Sequence, residues 1–207
     1  MKRLIILAAL FIGFLFSANA QDIFDNQEPV TWLGLDFSNL KLIKDDEKIT
    51  DEELQNKYFP GWNDLILLEP KKYDVARAIN RAAVENSIDA VTKVNAGAKS
   101  NFITNDAKAF EHLDEAKIKS IVKKYDLKGK SGIGLVFVVE AMDKAHKEAS
   151  IWVTFINMQT KEVLLAKPLI GESGGFGFRN YWAGSINKVL KQLPDMMRKW
   201  KKDKKNN

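Results

Sequence analysis

The chain contains no cysteine in 207 residues and only two histidines, and these two scarcities exclude much of protein chemistry at once. Disulfide bridges, thiol catalysis, cysteine-ligated zinc and iron–sulfur clusters need a residue that is not there. His112 and His146 fall outside any H-x-H or H-x-x-x-H spacing, so a histidine-built metal centre is not expected either. The serines offer no G-x-S-x-G elbow, and the acidic runs Asp45-Asp46-Glu47 and Asp51-Glu52-Glu53 lack the D-x-D-x-D-G order of a calcium loop. We therefore name no catalytic residue, no metal ligand and no cofactor from the sequence.

Long apolar runs are absent too, with one exception at the start. Lys2-Arg3 precedes an apolar stretch from Leu4 to Phe16, and Ser17-Ala18-Asn19-Ala20 follows it. A basic end, a short apolar core and a small-x-small site make a secretory signal peptide, and such a core is too short to span a bilayer. Cleavage is expected after Ala20. A lipoprotein would need a lipid-accepting cysteine at the next position, where this chain has Gln21, so the mature protein is expected to be periplasmic or secreted and unanchored.

Charge of one sign is scarce over most of the mature chain. Removing Lys2 and Arg3 leaves 30 basic and 27 acidic side chains, and from Arg198 onward six basic residues face a single acid, Asp203. The basicity belongs to a tail and not to a face, which argues against a nucleic-acid partner. The expected organisation is a signal peptide (1–20), one domain (21–200) and a basic tail (201–207), the leader QDIFDNQEP being mobile.

Alternation from Val30 to Phe37 predicts a first strand, with Thr31, Leu33, Leu35 and Phe37 on one face and Trp32, Gly34 and Asp36 on the other. Thr50 and Glu53 have the spacing of a capping box and predict a helix to about Tyr58, interrupted by Pro60-Gly61. Further short helices are expected near Trp62 to Ile66 and Val75 to Ala82. Ile88 to Val94 reads as a second strand, and Ile118, Ile121, Val122 and Tyr125 form the stripe of an amphipathic helix.

Three strands then follow with short connections, Ile133 to Ala141, Ile151 to Asn157 and Val163 to Ile170. Such spacing leaves no room for crossover helices and predicts an antiparallel meander, with Pro168 placing its third strand at an edge. A long helix from Asn180 to Trp200 should kink or restart at Pro194. The expected fold is a single α/β (α+β) domain: a mixed, mainly antiparallel sheet with packed helices, ending in a three-strand meander and a long helix.

The segment from Gly132 to Ser173, with Thr160-Lys161-Glu162-Val163-Leu164 at its turn and Gly174-Gly175 before the last helix, resembles the α/β domain of periplasmic accessory lipoproteins of the curli-secretion pore and penicillin-binding-protein activator type. The likeness is architectural. This chain departs from it in lacking the lipid-accepting cysteine and in carrying Lys161 where a glycine is common, so anchoring and pore assembly do not carry over. The strings TWLGLDFS and GGFGFRNYW are similar to those of a family of small secreted bacterial proteins of uncharacterised role. Neither resemblance transfers a functional residue.

Two constellations remain as candidates. Gly174, Gly175, Gly177 and Arg179 stand between a strand and a helix, where backbone N–H groups, a helix start and a guanidinium could cradle a phosphate or carboxylate. The structural alternative is a tight turn whose Phe176, Phe178 and Trp182 seal the core edge. Asp36 and Glu140 are carboxylates in apolar strands and form a second candidate polar site, unless they serve as strand-end caps or ion-pair partners.

The sequence thus predicts an exported, non-enzymatic binding or assembly module with an envelope protein as partner and an open oligomeric state. The alternative is a small-ligand (anion or phosphate) binder or enzyme using the turn from Gly171 to Arg179. Peripheral membrane contact through the lysine tail, with Leu193, Met197 and Trp200 as its apolar edge, is weighed against docking of that edge on the body, which is favoured.

Overall fold

Strand β1 (Val30–Asp36) is buried along its whole length, as only a strand covered on both faces can be. The computed structural model in which it stands describes residues 21–43 and 48–206; the expected signal peptide and Asp45-Asp46-Glu47 lie outside the described residues. β1 runs parallel beside the first part of β5 (Ile133–Asp143), and β2 (Lys41–Ile43) runs parallel beside the end of the same strand. Together they act as one broken strand. Two short strands extend it outward, β3 (Glu85–Asn86) on β1 and β4 (Ile103–Thr104) on β2, both parallel. On the far side of β5 lie β6 (Glu148–Asn157) and β7 (Val163–Glu172), each antiparallel to its neighbour.

The expectation of a mainly antiparallel sheet is overturned, since four of the six strand pairings are parallel. The reason lies in the N-terminal half. Ile88 to Val94, read above as a strand, belongs to helix α4 (Asp89–Ala96), which buries Ala90 and Val91. β2, β3 and β4 are only two or three residues long, too short for any alternation to register. With helices between them, these strands return in parallel.

Helices cover both faces of the sheet. On one face α2 (Phe59–Leu68), α3 (Val75–Ala78) and α6 (Phe178–Asn206) close the larger core around Trp32, Phe37, Phe59, Trp62, Phe137 and Trp182. On the other, α4 and α5 (Glu115–Val122) pack Val91, Ile118, Ile121 and Tyr125 against Leu33, Val136 and Val138. The split of β1 between the cores differs from simple alternation. A bulge at Gly34, with φ of +103°, shifts the register between Trp32 and Gly34. Leu35 and Phe37 therefore join Trp32 in the larger core, while Leu33 faces the smaller one.

Prolines interrupt less than expected. Thr50 and Glu53 form a complete capping box at α1 (Asp51–Glu53), and a π-helical stretch, Leu54–Tyr58, leads without a break into α2. Pro60 stands in the first turn of α2, where its missing N–H costs least. α6 likewise runs through Pro194 as one element to Asn206. Its apolar edge is spent on the body, Leu193, Met197 and Trp200 all being buried.

The segment after Ala20 and the end of α6 hold each other. Ile23 is buried, Lys204 Nζ pairs with Asp22 at 3.2 Å, and Lys201 Nζ donates to the Phe24 carbonyl. Arg81 donates to the carbonyls of Ile23 and Glu28. The leader expected to be mobile is thus docked, because part of the tail's charge is directed at its oxygen atoms.

Candidate functional site

Asp36 and Glu140 lie on adjacent strands and share the sheet face that packs against α5, beside Val138 and Trp152 of the smaller core. Both are buried, Asp36 to 0% exposure and Glu140 to 2%. The fold does not join them into an acid/base pair; it gives each its own donors. Tyr125 donates its hydroxyl to Asp36 Oδ2 at 2.6 Å, and the Ser38 N–H donates to Oδ1. Glu140 occupies a bulge in β5. Its Oε1 accepts from the Leu113 N–H at 2.5 Å, and its Oε2 accepts from the Ser150 hydroxyl and the Trp152 indole at 2.7 and 2.9 Å.

Burial raises the pKa of Asp36, against the opposing pull of the Tyr125 and Ser38 hydrogen bonds. Tyr125 is pushed well above the ordinary tyrosine range by burial first and by the Asp36 charge second. Around Glu140 the third layer is His112, whose Nδ1 lies 3.9 Å from Oε1. Its two ring nitrogens face the carbonyls of Ala109 and Asn39 at 2.7 and 3.0 Å. Burial also pushes Asp143 up, but hydrogen bonds from His146 and the Ala145 N–H outweigh it and leave its pKa lowered. These carboxylates fasten loops to the end of β5.

Sequence reasoning missed two buried asparagines that complete β1. β3 pairs with Thr31 and Trp32, and beyond them the outer edge of β1 has no strand partner among the described residues. Asn63 of α2 takes its place, accepting from the Leu35 N–H at 2.8 Å and donating to the Leu35 carbonyl. Asn95 of α4 accepts from the Phe37 N–H at 2.7 Å and donates to Leu35 as well. An asparagine on the buried face of an amphipathic helix was the available signal, since such an amide must find backbone partners.

The glycine turn meets the solvent. Gly175 and Gly177 have positive φ, +136° and +76°, and Gly174 does not. The Gly174 N–H donates to the Tyr181 carbonyl at 3.0 Å, so it is engaged within the turn. Close packing explains the neighbouring glycines: a Cβ on Gly171 would lie 2.2 Å from the Ser185 carbonyl oxygen, and one on Gly184 would lie 2.3 Å from that of Gly174. Only glycine lets β7 and α6 approach so closely.

Outside this contact an open groove of about 680 Å³ runs between the turn and the end of α2, bordered by Glu69, Lys72, Glu172, Arg179 and Lys188. Four of these charges are paired along its walls, Lys72 with Glu69 and Lys188 with Glu172, both at 3.7 Å. Arg179 is exposed, its carbonyl accepts from the Trp62 indole, and its guanidinium makes no ion pair or hydrogen bond among the described residues. Phe178 and Trp182 are buried as expected of a core edge, but Phe176 is not part of it: its exposure is 96%. Leu68, which precedes Glu69 at the end of α2, is 80% exposed.

Among the described residues, no three His, Asp or Glu side chains come together to hold a metal ion, and no helix is long and apolar enough to cross a membrane. A scan against protein-family models and searches of curated proteins and solved structures give no match to this chain.

Proposed function

We propose that the mature chain is an exported, non-enzymatic binding or assembly module that docks a protein partner on the rim of the β7–α6 turn. The observation that carries this reading is Phe176, an aromatic side chain left 96% exposed on a turn whose next aromatics are buried. Burying such a side chain is worth roughly 2 kcal/mol. Arg179, which borders the same groove, adds a guanidinium without an ion-pair or hydrogen-bond partner among the described residues. Aromatic and arginine side chains are the types that concentrate binding energy at interfaces.

An anion-binding or catalytic use of this turn has less support, because the Gly174 amide is engaged and two carboxylates, Glu69 and Glu172, border the groove. Membrane seating of the tail has less as well, since the apolar edge that would enter lipid is packed on the core. The test is photo-crosslinking in the producing cell, with benzoylphenylalanine at position 176 and, as control, at exposed Lys128. A discrete adduct formed from position 176 alone, and lost on Arg179→Glu, is expected. The same adducts from both positions, or none from 176, would refute the reading.

A further inference from the structure

The docked leader begins at Gln21, and Gln21 is an unusual residue to find there. Its side-chain Oε1 is buried without a hydrogen-bond partner, and its amide nitrogen has none either among the described residues. The side chain lines a cavity of about 690 Å³ with Ile23, Phe24, Leu164, Leu165 and Trp200, where the leader, β7 and the end of α6 meet. A glutamine tied to a neighbour would be held away from its own backbone. This one is untied, and the apolar part of its surroundings rewards the loss of polar hydrogens.

We propose that the exported protein carries an N-terminal pyroglutamate formed from Gln21, seated in this cavity. The proposal rests on the export reading, because only cleavage after Ala20 turns the Gln21 nitrogen into a free amine. That amine attacks Cδ of the same residue; the N–Cδ bond forms, the Cδ–Nε2 bond breaks, and Nε2 leaves as ammonia with the proton the amine gives up. No oxidant, reductant or second substrate is required. The five-membered lactam keeps the buried oxygen and discards both the side-chain NH2 and the charged α-ammonium.

The surroundings favour that neutral end. Lys201, Lys204 and Arg81 already converge on the leader's carbonyls and on Asp22, whose pKa is lowered as the Phe24 N–H and Lys204 outweigh its burial. Asp203 is the other carboxylate at the cavity, and Lys167 the other cation. An α-ammonium would be desolvated against the apolar wall of Ile23, Phe24, Leu164, Leu165 and Trp200, whereas the ring lies against it without charge. The expected consequence is a leader that stays fastened to α6 and resists trimming from its end.

Mass spectrometry of the mature protein isolated from producing cells tests this, with a synthetic peptide of residues 21–31 carried through the same handling to measure cyclisation during work-up. The expected result is an N-terminal peptide that starts at Gln21, weighs less by one ammonia beyond the level of the carried peptide, and resists aminopeptidase in the folded protein. A Gln21→Ala variant, which cannot close the ring, is expected to be shortened under the same treatment. A peptide starting at Gln21 with a free, reagent-labelled amine would overturn the ring while leaving export intact. A peptide extending N-terminal to Gln21 would overturn export, and the ring with it.

Discussion

At the end of β5, Glu140 meets three donors in a site closed to water; on the rim of the β7–α6 turn, the Arg179 guanidinium meets no ion-pair or hydrogen-bond partner among the described residues and borders one groove with the exposed Phe176. Both were candidate sites on sequence grounds, Glu140 as a carboxylate in an apolar strand and Arg179 as the guanidinium of a glycine-rich anion cradle. The difference between them is how far their bonding capacity is used. A buried carboxylate with both oxygens held by donors from a loop and a strand is part of the scaffold. An exposed Phe and a free guanidinium contribute little to the fold and are left for something else to cover.

Breaking the buried side should cost most. Glu140→Ala leaves the Leu113 N–H, the Ser150 hydroxyl and the Trp152 indole without their acceptor, each at about 1–3 kcal/mol. Urea unfolding should therefore show a loss of several kcal/mol. Gly184→Ala comes next, because its Cβ would lie 2.3 Å from a backbone oxygen of the turn; overpacking of this kind costs roughly 1–3 kcal/mol, read in the same experiment.

Tyr125→Phe removes the hydroxyl that donates to Asp36 Oδ2 at 2.6 Å and should cost about 1–3 kcal/mol. A pH series sharpens the point. Asp36 has a raised pKa in the folded state, so its contribution is fully present below the ordinary aspartate pKa and is lost as pH rises through the folded value. Asp36→Asn should flatten that decline, and an unchanged pH profile would show that Asp36 is not its source. The smallest effect belongs to the rim: Arg179→Ala should shift stability by no more than about 0.5 kcal/mol, checked by thermal melting.

How much of this was readable follows the same division. The chain from Ile133 to Glu172 is legible because its ladders join neighbours in sequence, so short connections and apolar runs suffice to place β5, β6 and β7. The stripe of Ile118, Ile121, Val122 and Tyr125 was legible for a similar local reason. The N-terminal half was not. Its sheet edge depends on Asn63 and Asn95, 28 and 60 residues from Leu35, which they bind, and a single Gly34 bulge exchanges the faces of everything after it in β1. Phe176 shows the limit most plainly, since its neighbours Phe178 and Trp182 turn inward and nothing in the local pattern separates it from them.

The exposed side chains of Phe176 and Leu68 lie outside the packing that stabilises the fold, and the groove bordered by Phe176 is free for a partner. Urea unfolding of the Leu68→Ser/Phe176→Ser double variant beside the wild type tests it most directly. The account predicts stability within about 0.5 kcal/mol of wild type, as for surface positions. A loss of about 3 kcal/mol or more, the scale of an emptied core position, would place these side chains in the core and contradict it.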